Sequence, residues 1–77
     1  MKILEIRDNG GDTMDRYTVI FNQLETNGSY TALGMNSTPF HSIGTHCTAT
    51  LGDHLGKLIE FEDLPMDCQE ATLMYLE

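Results

Sequence analysis

Basic residues are scarce in this 77-residue chain: four Lys and Arg stand against 12 Asp and Glu, a formal net charge of −8. That deficit disfavours direct binding to DNA or RNA and to an anionic membrane leaflet, because phosphate-rich surfaces repel such a chain. No apolar run reaches the 18 residues of a spanning helix, and Met1 leads into a strand-like stretch, not a charged and then apolar leader. We therefore expect no membrane partner and a cytoplasmic location. Cysteine is limited to Cys47 and Cys68, which suits two free thiols in a reducing compartment better than a disulfide framework. Internal repeats and linker-like stretches are absent, so residues 1–77 read as one domain. A core this thin lies near the lower limit for unaided folding, which keeps a homodimer in view.

What is present is unevenly spread. Residues 52–77 carry seven acidic side chains against the single Lys57, whereas 26–52 carry no Asp, Glu, Lys or Arg. Charge of this kind serves solubility, and it also complements a basic partner such as the nucleic-acid-binding surface of another protein.

The most strand-like run follows a turn signal. Asn9-Gly10-Gly11 supplies backbone freedom, and a strand from Arg16 to Gln23 places Tyr17, Val19 and Phe21 on one face and Thr18 and Ile20 on the other. Lys2 to Arg7 reads as a preceding strand, with Ile3 on one face and Leu4 and Ile6 on the other. Glu25 to Gly28 is a second turn, and Ser29 to Met35 a third strand. Asn36 to Leu51 is broken by Pro39 and Gly44; it suits a segment folded over the sheet, with a short strand or helical turn near Thr45–Leu51. Lys57 to Phe61 reads as a further strand. Asp63-Leu64-Pro65 signals a helix start, with a second capping pattern at Asp67 and Glu70. Leu64, Cys68, Ala71, Thr72 and Tyr75 then recur at helical spacing, widened by Leu73, Met74 and Leu76, and we expect this helix to dock on the sheet. The order predicts an α+β fold: a three- to five-stranded antiparallel curved sheet or small barrel with one C-terminal helix.

Chemical motifs are weak. His41, His46 and Cys47, with His54 further on, are the one metal-type cluster, but they lack the paired spacing of zinc sites, so no metal or other cofactor is assigned. Asp8, Asp12 and Asp15 surround a Gly-rich loop, yet the twelfth position from Asp8 is Val19, which cannot close a calcium loop. Gly52 to Lys57 has three residues between its glycines and Leu58 after the lysine, which is not a phosphate loop. No nucleophile elbow or papain-like context frames any Ser or Cys, and we expect no catalysis. One small-molecule arrangement is conceivable: Arg16, Tyr17, His54 and Lys57 as an anion and base pocket, against Arg16 serving as a structural ion pair.

The blocks Asp8-Asn9-Gly10-Gly11 with Asp15 to Val19, and His54 to Lys57 with Asp63-Leu64-Pro65, resemble short phage- and prophage-encoded proteins of unknown function. The resemblance implies a mobile-element origin and a bacterial host cytoplasm, and it transfers no catalytic residue. Size, acidity and this resemblance together lead us to expect a non-catalytic accessory protein that binds and inhibits a bacterial host protein, of the anti-CRISPR or anti-restriction kind. Glu60, Glu62, Asp63, Asp67 and Glu70 would face the partner. The alternative is a sponge for a nucleotide-derived small molecule, built on the Arg16 set.

Overall fold

The structure is a computed structural model that describes residues 1–11, 15–36 and 45–76. Five strands form one antiparallel sheet: β1 (Ile3–Asp8), β2 (Tyr17–Leu24), β3 (Tyr30–Met35), β4 (Thr45–Ala49) and β5 (Lys57–Leu58). Their order across the sheet is β4-β3-β2-β1-β5, so β1 to β4 form a meander and β5 returns to the far side of β1. One helix, α1 (Met66–Leu76), completes an α+β fold, and the sheet stays open with β4 and β5 at its edges. No helix among the described residues is long and apolar enough to cross a membrane.

Alternation along β2 decides the two faces. Tyr17, Val19 and Phe21 turn toward α1 and pack with Ile6, Leu33, Met35, Leu64, Cys68 and Ala71 in the main core. Each large side chain buried there contributes about 1.5–3 kcal/mol. Phe21 stacks on Tyr75 at 5.1 Å between ring centroids, and Tyr75 in turn stacks on His46 of β4 at 5.9 Å. The helix is thereby fixed across three strands.

On β1 the expected alternation fails for a local reason. The register shifts between Ile3 and Glu5, so Leu4 is an extra residue in a bulge. Past the bulge the phase resets, which lets both Ile3 and Ile6 pack on the core while Leu4 stays largely exposed. A second correction concerns Lys57 to Phe61. Only Lys57 and Leu58 pair as strand; Phe61–Asp63 is a 3-10 turn, closed by reciprocal bonds between Glu60 and Asp63 that include Glu60 N donating to Asp63 Oδ2 at 3.0 Å. Phe61 reaches the core from that turn. Third, Leu73 and Met74 do not widen the packed face of α1: they are 54% and 60% exposed.

The 45–51 stretch supplies β4, and a separate 3-10 turn follows at Asp53–Leu55. The reading of residues 36–51 as a cover over the sheet falls largely on 37–44, outside the described residues.

Candidate functional site

The sheet face opposite α1 is built differently. Glu5, Arg7, Thr18, Ile20, Ala32, Gly34 and Cys47 share it by register. Ile20 and Ala32 are fully buried there, and Arg7, 7% exposed, holds the cover in place. Its guanidinium donates to Glu5 Oε1 at 3.1 Å, and to Asp53 Oδ1 and the Gly56 carbonyl at 3.2 Å each. Gly52 N adds a bond to Glu5 Oε1 at 3.3 Å. Residues 52–56 are thus tied over the sheet by one cation. Close approach at Gly56 is part of this: its φ is +109°, and a Cβ there would run into the Asp8 carbonyl and lie 2.6 Å from Asn9 Cα. Only glycine fits.

Between this cover and the sheet lies a cleft of about 570 Å³, lined by Asp15, Thr18, Cys47, Asp53, His54 and Leu55 among others. Gly34 makes room for Asp15, whose Oδ2 would be 2.8 Å from a Cβ at that position. His54 Nε2 lies 3.2 Å from Thr50 Oγ1. Burial, reinforced by the nearby Asp15 charge, pushes the Cys47 thiol up from its ordinary value. A nucleophilic cysteine needs the opposite displacement, so the cleft does not present an activated thiol.

The residues of the metal-type cluster separate. His46 and Cys47 are adjacent on β4 and alternate to opposite faces: His46 contacts the Tyr75 hydroxyl on the helix side, whereas Cys47 lines the cleft. Among the described residues no group of three His, Cys, Asp or Glu is placed to hold a metal ion, and His41 lies outside them. Cys68 is buried on the inner side of α1, where its thiol donates to the Asn36 carbonyl at 3.2 Å, and both thiols are free.

Of the four small-molecule residues, Arg16, Tyr17 and Lys57 gather around Asp8. Arg16 donates to Asp8 Oδ1 at 2.9 Å and Oδ2 at 3.3 Å, and its guanidinium carbon sits 5.2 Å from the centre of the Tyr17 ring. Lys57 pairs with Asp8 across β1 and β5. The Asp8 carboxylate therefore occupies the position an anionic ligand would take, and the Arg16 hydrogen bond holds its pKa below the ordinary value. Arg16 does form a structural ion pair, with the Asp8 carboxylate. Tyr17 is buried, its ring turned to the core, and His54 lies on the other face. The four do not converge.

The acidic segment presents a continuous outer surface. Glu60, Glu62, Asp63, Asp67 and Glu70 are all exposed, spread over the second 3-10 turn and the first two turns of α1. Glu60 and Asp63 are in part occupied by their mutual capping; Glu62 and Asp67 carry no such duty among the described contacts. Missed in the sequence is what lies beside them. Met66 is 68% exposed, and with Leu73 and Met74 it forms an apolar outer face on α1 that brackets Asp67 and Glu70. The signal was there, since Met66, Glu70 and Leu73 follow i, i+4, i+7 spacing. Apolar residues on both sides of a helix leave its packed side undecided from spacing alone.

Compared with known protein families, curated proteins and solved structures, the chain matches none.

Proposed function

We propose that the protein is a non-catalytic binding module that engages a basic surface on another protein through residues 60–74. One observation carries the reading: five exposed acids and three exposed apolar side chains share the outer surface formed by the 3-10 turn and α1, with no lysine or arginine among them. Methionine and leucine supply adaptable contact area, and the carboxylates steer and orient a cationic partner. A surface of this composition suits blocking the nucleic-acid channel of a bacterial host protein, in keeping with the phage-type resemblance of the Asp8–Val19 and His54–Pro65 blocks. The sponge alternative gains no such support, because Asp8 already neutralises Arg16 and His54 stands apart.

The test is capture from a bacterial lysate with a salt gradient, using the wild-type chain and a Glu62→Lys, Asp67→Lys, Glu70→Lys variant. Glu60 and Asp63 are left alone because their capping bonds shape the turn. A stoichiometric partner released by moderate salt and lost with the variant supports the reading. The same partner retained by the variant, with unchanged salt release, overturns it.

A further inference from the structure

The two edges of the sheet are protected unequally. β5 is two residues long and carries Lys57, both of which discourage pairing with another strand. β4 is five residues long, lies in the 26–52 stretch that holds no Asp, Glu, Lys or Arg, and among the described residues pairs with β3 alone. Three devices that blunt an edge are missing along Thr45–Ala49: there is no lysine and no proline, and the β3–β4 register runs without a shift from Tyr30–Ala49 to Gly34–Thr45. The outer backbone groups of β4 have no strand partner among the described residues.

Charge says what can approach them. Two copies of a chain with net charge −8 repel each other most strongly over the acidic 60–70 surface. The β3–β4 edge carries no charged residue of its own, and the acids placed beside it are Asp15 and Glu25, so copies meet there at lower cost. We infer that β4 is a self-association edge, on which a second copy of this chain adds its own β4 in antiparallel register to make a continuous ten-stranded sheet. A two-fold axis through Cys47 pairs all five residues, Thr45 with Ala49 and His46 with Thr48 of the other copy, and every other register pairs fewer. Each Cys47 then stands opposite its symmetry mate on the cleft side of the sheet, with Cα atoms about 4.5–5.5 Å apart.

This association has a salt dependence opposite in sign to the proposed partner binding. Screening relieves the repulsion between acidic copies, so salt strengthens the dimer, whereas it weakens attraction to a basic partner. Light scattering and sedimentation of the full chain between about 1 and 100 µM, at about 0.05 and 0.5 M salt, should show mass rising toward twice 8.6 kDa, further at the higher salt. A short bis-maleimide should link the copies through Cys47, the thiol that is not fully buried, and a Cys47→Ser variant should lose the link while still dimerising. A Thr45→Lys, Thr48→Lys variant should remain monomeric at an unchanged melting temperature. Because those lysines lower the net charge, its loss of association cannot come from general repulsion. A mass fixed at 8.6 kDa over the whole range overturns the inference. So does a dimer that survives the double lysine variant, and, should that variant fail to fold, so does a wild-type dimer that Cys47 does not cross-link.

Discussion

The two faces of the sheet are held by different physics. Under α1, Val19, Phe21, Leu33, Met35, Cys68 and Ala71 interlock as hydrocarbon, sulfur and one aromatic stack. On the other face two apolar residues, Ile20 and Ala32, are buried, and the 52–56 loop is attached beside them through the Arg7 guanidinium. Packing energy scales with the area withdrawn from water and barely responds to salt. An ionic clamp is worth little where one partner faces solvent, as the wholly exposed Asp53 side chain does. A domain this small packs a helix on one face of the sheet; on the second, among the described residues, it ties down a short loop with one well-placed cation.

The largest test of the contrast is Phe21→Ala, which removes the ring shared by the core and the Tyr75 stack. We expect a loss of about 3–5 kcal/mol in urea unfolding, enough to abolish the fold in a marginal domain, at low and high salt alike. On the opposite face, Arg7→Ala should cost about 2 kcal/mol, because it takes the guanidinium from the Gly56 carbonyl and leaves the Glu5 carboxylate with its longer bond from Gly52 N. Most of that cost should persist in an Asp53→Ala background, and Asp53→Ala alone should cost only a few tenths of a kcal/mol. A double-mutant cycle assigning the bulk of the Arg7 effect to Asp53 would contradict this picture.

Proton linkage separates the faces again. Burial, with a smaller contribution from the Asp67 charge, raises the Cys68 thiol from 9.0 to about 11. The thiol is protonated in the folded chain where the unfolded chain ionises. Its contribution is therefore complete below pH 9.0 and lost as the pH climbs toward about 11. Cys47 and Tyr75 are displaced the same way, so Cys68→Ala should flatten the alkaline decline of the melting temperature without removing it. The smallest effect belongs to Asp8, whose pKa is depressed by the Arg16 hydrogen bond. Stability from that pair is present above the ordinary value of 3.8 and disappears as the pH falls through the lower folded value, so Asp8→Asn should blunt acid unfolding slightly.

Much of the helix face was legible in the sequence. Tyr17-Val19-Phe21 against Thr18-Ile20 announced the sheet and its inner side, and Asn27-Gly28 marked the turn that pairs β2 with β3. The loop face was not, since its determinants are long-range. No local pattern says that Arg7 will meet Asp53 or that Gly56 will sit against Asp8. The strand Thr45–Ala49 offers only Cys47 and Ala49 as an alternating pair, too short a signal to assign its faces without the neighbour it pairs with. At Leu4 and Phe61 local reading failed where a bulge and a capping pair intervened. The exposed acids were readable as composition; the apolar side chains beside them were misplaced because periodicity does not assign an inside to a helix that is apolar on two sides.

The contact at Gly56 joins two stretches that are far apart in the sequence. Asp8-Asn9 and His54 to Lys57 touch where no side-chain atom can intervene, and Lys57 pairs with Asp8 in the same place. Their spelling is therefore coupled: a residue larger than glycine in the second stretch needs a rerouted backbone in the first. Distant kin of this fold are best sought with the two short words and the interval between them taken together, since either word alone is a common turn.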